Sequence, residues 1–408
     1  MSYFCIVKGD EGDIGAKESK RLASVDALRG FTIAGMILVN NPGTWSAIYT
    51  PLEHAEWNGL TPTDLVFPFF MMIMGVSMCL SLTKRRSQPK SKVWVKVIRR
   101  TIVIYLIGIA VGWIAKFCYS LSGSMGSGLP LTERIATAAD CLDRIRLMGV
   151  MPRLALSYFL GSVLVLTLRQ RALPWIAGVI LVGYSLILLL GNGYEFSEQN
   201  VICRVDTAIL GHSHMYKGLT VGGVNIPFDP EGLLSTLPCV AHVIIGYLIG
   251  QMIVTTKKNS KRVVKLSLAA TSMMGIGWLA SYGLPINKNI WSPTFVLVTC
   301  GMATCLLALL IWVIDEKKHR SWCKPLIVFG VNPLFLYVVS GVLAILMGSI
   351  KVPFGEGVIS IQRLIYQEGL LPLIGDATAA SCTFAILFVA INWIIGYILY
   401  RNKIYIKI

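Results

Sequence analysis

The segment from residue 40 to residue 64 carries the densest set of side chains capable of acid–base chemistry. It reads NNPGTWSAIYTPLEHAEWNGLTPTD, with His54 near its middle and Asp64 at its end. Histidine titrates near neutral pH and is the side chain most often used as a general base. The pattern therefore predicts a catalytic histidine. The alternative is a histidine at the membrane surface, among the aromatic residues that anchor a chain there.

Asp64 has two interpretations, and the sequence leaves both open. A carboxylate near a histidine can fix which ring nitrogen carries the proton, so Asp64 is a candidate to hold the tautomer of His54. The run Thr-Pro-Thr-Asp is also a typical helix start, and there the same carboxylate would cap the helix.

Other polar groups lie in the segments between apolar runs. Asp229 and Glu231 stand in FDPEGLL, which predicts a helix start or a carboxylate site for a substrate ammonium group. Asn287 and Lys288 would hydrogen-bond sugar hydroxyls or end an apolar span. The histidines of GHSHMY match no zinc pattern, so no metal site is predicted.

The elements that must position these residues are membrane spans. Of the 408 residues 55% are hydrophobic and only 14% are charged, with a mean hydropathy of +0.67. Ordinary soluble domains carry about 25% charged residues, and a helix crosses a bilayer with about 20 apolar residues. The composition excludes soluble, collagenous and disordered classes and predicts an all-α polytopic membrane protein. Ten spans are predicted: 24–41, 64–83, 101–119, 150–168, 172–191, 232–254, 263–284, 292–314, 325–350 and 377–400.

The distribution of charge predicts the orientation. The net charge is +16, from 37 Lys and Arg against 21 Asp and Glu, and most of the basic residues fall on one side of the predicted spans. Because cytoplasmic loops attract Lys and Arg, both termini are predicted to be cytoplasmic. The basic run 84–100 is then a loop at an anionic lipid surface, and no nucleic-acid partner is predicted. We expect a cytoplasmic segment at 1–23, without a cleavable signal peptide, and one membrane domain at 24–408.

Several sequence blocks resemble one known family, the heparan-alpha-glucosaminide N-acetyltransferase-like transmembrane acetyltransferases. The similarity runs from about residue 21 to the C-terminus, with the blocks in the family's order. It implies a bacterial-type member that lacks the large lumenal N-terminal domain of the animal enzyme. The blocks are RLASVDALRGFTIAGMILVNNPG, HAEWNGLTPTDLVFPFFMMIMGVS, GVMPRLALSY, FDPEGLLSTLP, LPINKNIWSPTF and GVNPLFLYV.

The resemblance implies a reaction and its residues. Acetyl-CoA would be taken from the cytosolic side of an inner membrane, and its acetyl group would reach the amine of a terminal glucosamine-type sugar on the outer side. The family's catalytic histidine corresponds to His54, as general base or acetyl carrier. The asparagine closing the first span corresponds to Asn40, which would orient His54 or donate to the thioester oxygen. Trp57 and Asn58 are expected among the acceptor-binding residues, and a homodimer is expected.

The phosphates of CoA need basic partners. Candidates are Arg29, Lys96, Arg99, Arg100 and Arg153, although each could instead be an ordinary positive-inside anchor. Two other functions stay open. One is a transporter or flippase for a hydrophilic or lipid-linked solute, because charged residues within spans typically face a pathway. The other is O-acylation on the same fold.

Overall fold

The computed structural model describes residues 5–8, 22–84, 89–125, 128–355 and 357–407. Most of these residues lie in helices. The helices are α1 (Ala23–Asn40), α2 (Val66–Lys84), α3 (Lys90–Gly123), α4 (Leu131–Ala139), α5 (Val150–Thr167), α6 (Leu173–Leu190), α7 (Val201–Leu210), α8 (Thr236–Thr255), α9 (Asn259–Ala280), α10 (Pro293–Leu310), α11 (Lys324–Val331), α12 (Pro333–Ser349) and α13 (Ala377–Arg401).

Shorter elements extend or connect these helices. Single 3₁₀ turns cover Thr50–Leu52, Pro62–Leu65, Leu142–Arg144, Gln170–Ala172 and His212–His214. Wider π-helical turns cover Ile311–Glu316 and Leu364–Leu370, and the latter is flanked by the short helices Ile361–Arg363 and Leu371–Ile374. Antiparallel strand pairs are β1 (Cys5–Lys8) with β6 (Ile404–Lys407), β2 (Thr220–Val221) with β3 (Val224–Asn225), and β4 (Lys351–Phe354) with β5 (Gly357–Ser360).

The all-α membrane architecture predicted from composition is confirmed. Within the described residues, eight helical segments of 18 to 34 residues are long and apolar enough to cross a bilayer, and the bent pair α11–α12 makes a ninth. These correspond to nine of the ten predicted spans. The first predicted span forms α1, which has 18 residues but is not among the nine. Asp26 and Arg29 lower its hydropathy.

The predicted span 325–350 is not one straight helix. It bends by 85° between α11 and α12, at Asn332 and Pro333. Proline has no backbone N–H to donate, and its ring keeps the preceding residue out of the helical conformation. Asn332 accordingly adopts φ −123° and ψ 53°. The chain changes direction where the sequence removes a helical hydrogen bond.

The helices that carry the site pack closely because glycines face each other. A Cβ on Gly75 of α2 would lie 2.2 Å from the carbonyl oxygen of Val243 in α8, and one on Gly246 of α8 would lie 2.2 Å from that of Met72. Small residues at such crossings let helix backbones approach each other within a membrane. The close spacing between α2 and α8 therefore depends on the glycines at their crossing.

One end of the bundle collects the segments that follow α1, α3, α6, α9 and α12, and we call it the site end. Hydrogen bonds join these segments to one another. Gly59 N donates to Ile286 O (2.8 Å), and Leu147 N donates to His214 O (3.2 Å). The Gln362 side chain donates to Pro42 O (3.2 Å). Segments distant in sequence thus form one layer over the helices.

The chain ends meet at the opposite end of the bundle. Strand β1 pairs with β6, with Cys5 opposite Lys407 and Lys8 opposite Ile404. The predicted segment 1–23 otherwise lies outside the described residues, except for residues 22 and 23. Residues 5–8 and 404–407 therefore lie at the same end of the bundle. That this end is cytoplasmic stays a prediction.

Candidate active site

His54 and Asp64 form a hydrogen-bonded pair at the site end. His54 Nδ1 lies 2.7 Å from Asp64 Oδ1. The His54 side chain is 44% exposed, whereas that of Asp64 is fully buried. An ionised carboxylate only accepts hydrogen bonds, so this contact places the ring proton on Nδ1. The second ring nitrogen, Nε2, is then the one able to take up a proton.

Asp64 makes the contacts of both interpretations offered by the sequence. Its Oδ1 faces His54, while its Oδ2 accepts hydrogen bonds from Thr61 N (3.1 Å), Thr61 Oγ1 (3.0 Å) and Ala55 N (3.2 Å). Thr61 and Asp64 form a capping box at the start of the helix that leads into α2. The helix start therefore fixes the carboxylate, and the carboxylate holds the imidazole.

Lys288 is a third member of this group. Its Nζ lies 3.2 Å from Asp64 Oδ1, 2.9 Å from His54 Nδ1 and 3.4 Å from His54 Nε2. Burial lowers the pKa of Lys288, against the raising effect of Asp64 and Glu231. One carboxylate is thus shared between an ammonium group and an imidazole.

A tight turn between α9 and α10 presents Lys288. Asn287 N donates to Ser292 Oγ (3.0 Å), and Ile290 N donates to Asn287 Oδ1 (3.1 Å). The Asn287 amide also donates to Asn58 Oδ1 (3.2 Å). Asn287 is fully buried and supports the turn, whereas Asn58 is exposed beside His54. The structure therefore joins two predicted acceptor-binding residues to each other.

Trp57 links the His54 segment to the segment that follows α6. Its indole N–H donates to Tyr194 O (2.7 Å). Its ring lies 5.1 Å from that of Phe196 and 5.5 Å from that of Phe228, measured between centroids. The Trp57 side chain is half-buried and forms part of a wall next to the histidine.

A second charged cluster lies beside this wall, around an arginine that the sequence analysis did not single out. Arg146 Nε donates to Asp229 Oδ2 (2.9 Å), and its Nη2 contacts both Asp229 and Glu231. Its guanidinium carbon lies 4.8 Å from the centre of the Tyr216 ring. Burial disfavours ionisation of Glu231, but Arg146 and Arg153 outweigh this and lower its pKa. Both predicted substrate carboxylates are thus already paired.

Arg153 lies at the site end. It is fully buried near the start of α5, and its Nη2 donates to Gly232 O (3.2 Å) and contacts Ser235 Oγ. Its guanidinium carbon lies 5.2 Å from the centre of the Trp291 ring. Arg153 therefore belongs to the layer below Lys288, away from the other basic residues predicted to bind CoA.

Arg29 lies deeper in the bundle. It contacts Asp26 Oδ1 (3.0 Å), Gly330 O (3.1 Å) and Ser77 Oγ (2.6 Å). Ser77 follows Asp64 by 13 residues along nearly continuous helix, a rise of about 20 Å. Arg29 and Asp64 therefore lie at different depths along the same bundle.

The remaining predicted basic residues lie along α3. Lys96 and Arg99 have exposed side chains. The guanidinium carbon of Arg100 lies 4.7 Å from the centre of the Tyr158 ring. Of the five residues predicted to bind CoA, Arg153 therefore lies at the site end and the other four lie elsewhere in the bundle.

Asn40 is exposed at the end of α1. Among the described contacts, its side chain makes no hydrogen bond to His54 or Asp64. Its neighbour Asn41 donates to Ile37 O (2.7 Å) at the helix end. Asn40 shares the site end with His54 but does not orient its ring through a direct contact.

Comparison with known proteins identifies the family. The family profile described as "Acyltransferase domain" matches residues 22–401. Heparan-alpha-glucosaminide N-acetyltransferase of Mus musculus is 27% identical over 371 residues, covering 78% of this chain and 53% of that protein. The protein of the same name from Homo sapiens is 28% identical over 369 residues, covering 78% and 52%. The chain spans about half the length of these curated relatives.

The family profile covers nearly all of the chain, and its range contains every spanning helix of the described residues. The resemblance seen in the sequence blocks is confirmed. The chain belongs to the acyltransferase-domain family and has the architecture of a multi-pass membrane protein.

Proposed function

We propose that this chain moves the acetyl group of cytosolic acetyl-CoA to the amine of a terminal glucosamine-type sugar on the far side of an inner membrane. The names of the two relatives, each a heparan-alpha-glucosaminide N-acetyltransferase, support the donor and the acceptor class. The natural acceptor is an amino sugar or a glycan that ends in one.

The observation that carries the proposal is the exposed imidazole backed by a buried carboxylate. Asp64 engages Nδ1 of His54 at 2.7 Å, and so Nε2 is the nitrogen that reacts. A neutral Nε2 can remove a proton from an attacking amine, or it can carry the acetyl group transiently. We propose that His54 performs one of these two steps and that Asp64 orients it.

The proposed route of acetyl-CoA follows from its charge. The nucleotide is multiply anionic and cannot enter hydrocarbon, whereas the pantetheine arm is thin and less polar. We propose that Arg29, Lys96, Arg99 and Arg100 attract the phosphates from the cytoplasmic side. The rise of about 20 Å between Ser77, which contacts Arg29, and Asp64 supports a donor that reaches through the bundle.

The acceptor would approach from the site end. We propose that Trp57 and Asn58 form the wall against which the sugar lies, since they follow His54 by three and four residues and neither is fully buried. Asn287 would act through Asn58, which it hydrogen-bonds. Lys288 would face the bound amine, and Asn40 would contact the acyl group or the sugar from the end of α1.

The acidic pair beside this wall completes the proposed acceptor site. Asp229 and Glu231 would keep their ion pairs with Arg146 and give the entrance a negative field. Such a field attracts an amino sugar that arrives as an ammonium ion. The sugar loses this proton to water before its nitrogen attacks.

The test is acetyl transfer by the purified full chain in detergent. Radiolabelled acetyl-CoA is supplied with glucosamine or a glucosaminide, and labelled sugar is measured. Removal of a general base typically lowers rates by about 10² to 10⁴-fold, and we expect a loss of this size for His54→Ala. His212→Ala is the matched control, because His212 is an exposed histidine of the same layer outside the site.

The outcomes separate the alternatives. Labelled N-acetyl sugar from the wild type and the control, but not from His54→Ala, supports the proposal. A labelled sugar that is acylated only at a hydroxyl group would indicate that the protein is an O-acyltransferase instead. Uptake of solute into vesicles without consumption of acetyl-CoA would favour a transporter. Full turnover by His54→Ala would refute the role of His54. Assembly as a homodimer remains a separate prediction.

A further inference from the structure

Arg153 and Trp291 form a buried pair directly below the His54 site, which we call the buried donor pair. Their exposed fractions are 0% and 1%. Trp291 follows Lys288 by three residues and packs edge-on against Phe67, with 5.2 Å between ring centroids. Phe67 is three residues after Asp64, a rise of about 5 Å. The pair thus lies about one helical turn below the carboxylate that holds His54.

The pair carries three hydrogen-bond donors that the protein does not satisfy. Arg153 Nε, Arg153 Nη1 and Trp291 Nε1 are buried and have no hydrogen-bond partner among the residues that the structure describes. Buried donors in native proteins nearly always have a partner, and an ionised side chain inside a membrane protein usually marks a ligand site. The donors therefore call for an acceptor that is not part of the chain.

The charges around the pair define the chemistry of that acceptor. Burial raises the pKa of Asp206 overall, but Asp206 and Glu231 both lie close enough to Arg153 that its charge favours their ionised forms. These carboxylates offset the positive charge of the guanidinium group. A phosphate would bring further negative charge beside them, whereas a carbonyl oxygen accepts hydrogen bonds without a net charge. The site therefore favours a neutral carbonyl oxygen.

We propose that the buried donor pair binds the carbonyl oxygen of the acyl thioester. The inference rests on the proposed function and gives Arg153 and Trp291 the oxyanion-stabilising role expected of Asn40. In the transfer, the amine nitrogen of the sugar forms a bond to the acyl carbon, and the carbon–sulfur bond then breaks. His54 takes the proton lost by the amine and returns it to the departing CoA thiolate, which leaves as the thiol. Negative charge develops on the carbonyl oxygen, against the three donors.

The experiment compares two ligands in the absence of any sugar. Acetyl-CoA carries the carbonyl oxygen, and the thioether S-ethyl-CoA lacks it. Binding of each to the purified full chain is measured for the wild type and for Trp291→Phe, which removes the indole N–H and keeps an aromatic ring. The matched control is Trp393→Phe, because Trp393 lies in α13 and donates its indole N–H to Pro325 O of α11.

We expect the wild type to bind acetyl-CoA more tightly than S-ethyl-CoA. Trp291→Phe should weaken the binding of acetyl-CoA by about tenfold, since a single hydrogen bond contributes about that factor. The affinity for S-ethyl-CoA should stay unchanged. The control should bind both ligands as the wild type does. Arg153→Lys, which keeps the charge and loses the fork of donors, should reduce the same preference.

Two results would count against the inference in different ways. If the wild type binds acetyl-CoA while folded Trp291→Phe and Arg153→Lys keep its full preference for that ligand, the donors serve internal water and the inference is wrong. If the wild type binds neither ligand, the proposed use of acetyl-CoA fails, and the inference fails with it. Thermal unfolding of each variant in detergent shows whether it is folded.

Discussion

The Lys288 ammonium nitrogen lies 2.9 Å from Nδ1 of His54, and both groups contact the same oxygen of Asp64, at 3.2 and 2.7 Å. The imidazole therefore shares one carboxylate oxygen with an ammonium group. The position of the ring depends on both contacts.

Replacing Lys288 by methionine should slow acetyl transfer, because the variant loses the ammonium group that contacts both His54 and the Asp64 carboxylate. We expect a loss of about tenfold, the factor that a single hydrogen bond contributes. Lys288→Arg keeps the positive charge and should keep more of the activity. Lys217→Met removes an exposed lysine and is the control. The measurement is the initial rate of labelled sugar formation by the full chain in detergent, and equal rates for Lys288→Met and the wild type would contradict this interpretation.

Asp64→Asn should lower activity strongly. The variant loses the carboxylate that orients the ring, and we expect activity to fall by at least about 10²-fold. It also weakens the capping box, at a cost of about 1 kcal/mol in the free energy of unfolding. Asp376→Ala removes the cap of α13 instead, because Ala379 N loses its acceptor. Equal loss of activity in the two variants would mean that Asp64 acts only on the helix.

Arg146→Met should destabilise the fold, because it leaves the paired carboxylates of Asp229 and Glu231 without their cation. Breaking a buried ion pair in this way costs about 3 kcal/mol in the free energy of unfolding. Arg144→Met removes an exposed neighbour paired with Asp143 and should change stability by less than about 0.5 kcal/mol. Thermal unfolding in detergent distinguishes the two. Similar melting temperatures for both variants would show that the Arg146 cluster contributes little.

Asp206 should make stability depend on pH in the direction unusual for an acid. Burial is the main cause that raises its pKa to about 6. The folded state therefore holds this proton more tightly than the unfolded chain does. Its contribution to stability is complete below about pH 4 and is lost as the pH rises through 6, by up to about 3 kcal/mol. Asp206→Asn keeps the acceptor used by Leu233 N and Leu234 N but does not titrate.

The measurement is the difference in unfolding temperature between Asp206→Asn and the wild type at pH 4.5 and pH 7.5. The unfolding temperature of Asp206→Asn should increase relative to that of the wild type as the pH rises. A difference that stays constant between the two values would show that Asp206 is ionised in the folded protein throughout. Because the comparison is between two proteins at one pH, the titration of other carboxylates cancels.

Gly75→Ala should disrupt the crossing of α2 and α8. The added methyl group would meet the backbone oxygen of Val243 at 2.2 Å, and backbone cannot move aside as a side chain can. We expect a loss of at least about 2 kcal/mol and reduced activity, since α2 carries Asp64. Gly112→Ala in α3 meets no atom within 4 Å and should be neutral or slightly stabilising. Equal unfolding temperatures would contradict the close packing.

The spans were predictable because apolar length is a local property. Nine predicted spans coincide with helices of sufficient length and hydropathy. The bend at Asn332 and Pro333 was less predictable, since proline is tolerated in many straight membrane helices. The pairing of His54 with Asp64 was also within reach of the sequence, because ten residues and one helix start connect them.

Contacts between distant segments were not predictable in the same way. Lys288 lies 234 residues from His54, and Arg146 lies 83 residues from Asp229. Each looks like an ordinary polar residue of a connecting segment. The packing of α9 and α10 against the bundle brings Lys288 to the site. The hydrophobic periodicity of the sequence does not predict that packing. The order of helices around a bundle is not encoded in their hydropathy.

The bend at Asn332 also bears on how the C-terminus can be engineered. Where the helix breaks, the Asn332 amide donates to Ile404 O (2.9 Å) and its oxygen accepts from Ile406 N (2.8 Å). The last strand is thus tied to the side chain at the break between α11 and α12. A truncation that removes residues 404–407 would take away both of these hydrogen-bond partners of Asn332 at the α11–α12 junction. Purification tags belong beyond a spacer that leaves this strand paired.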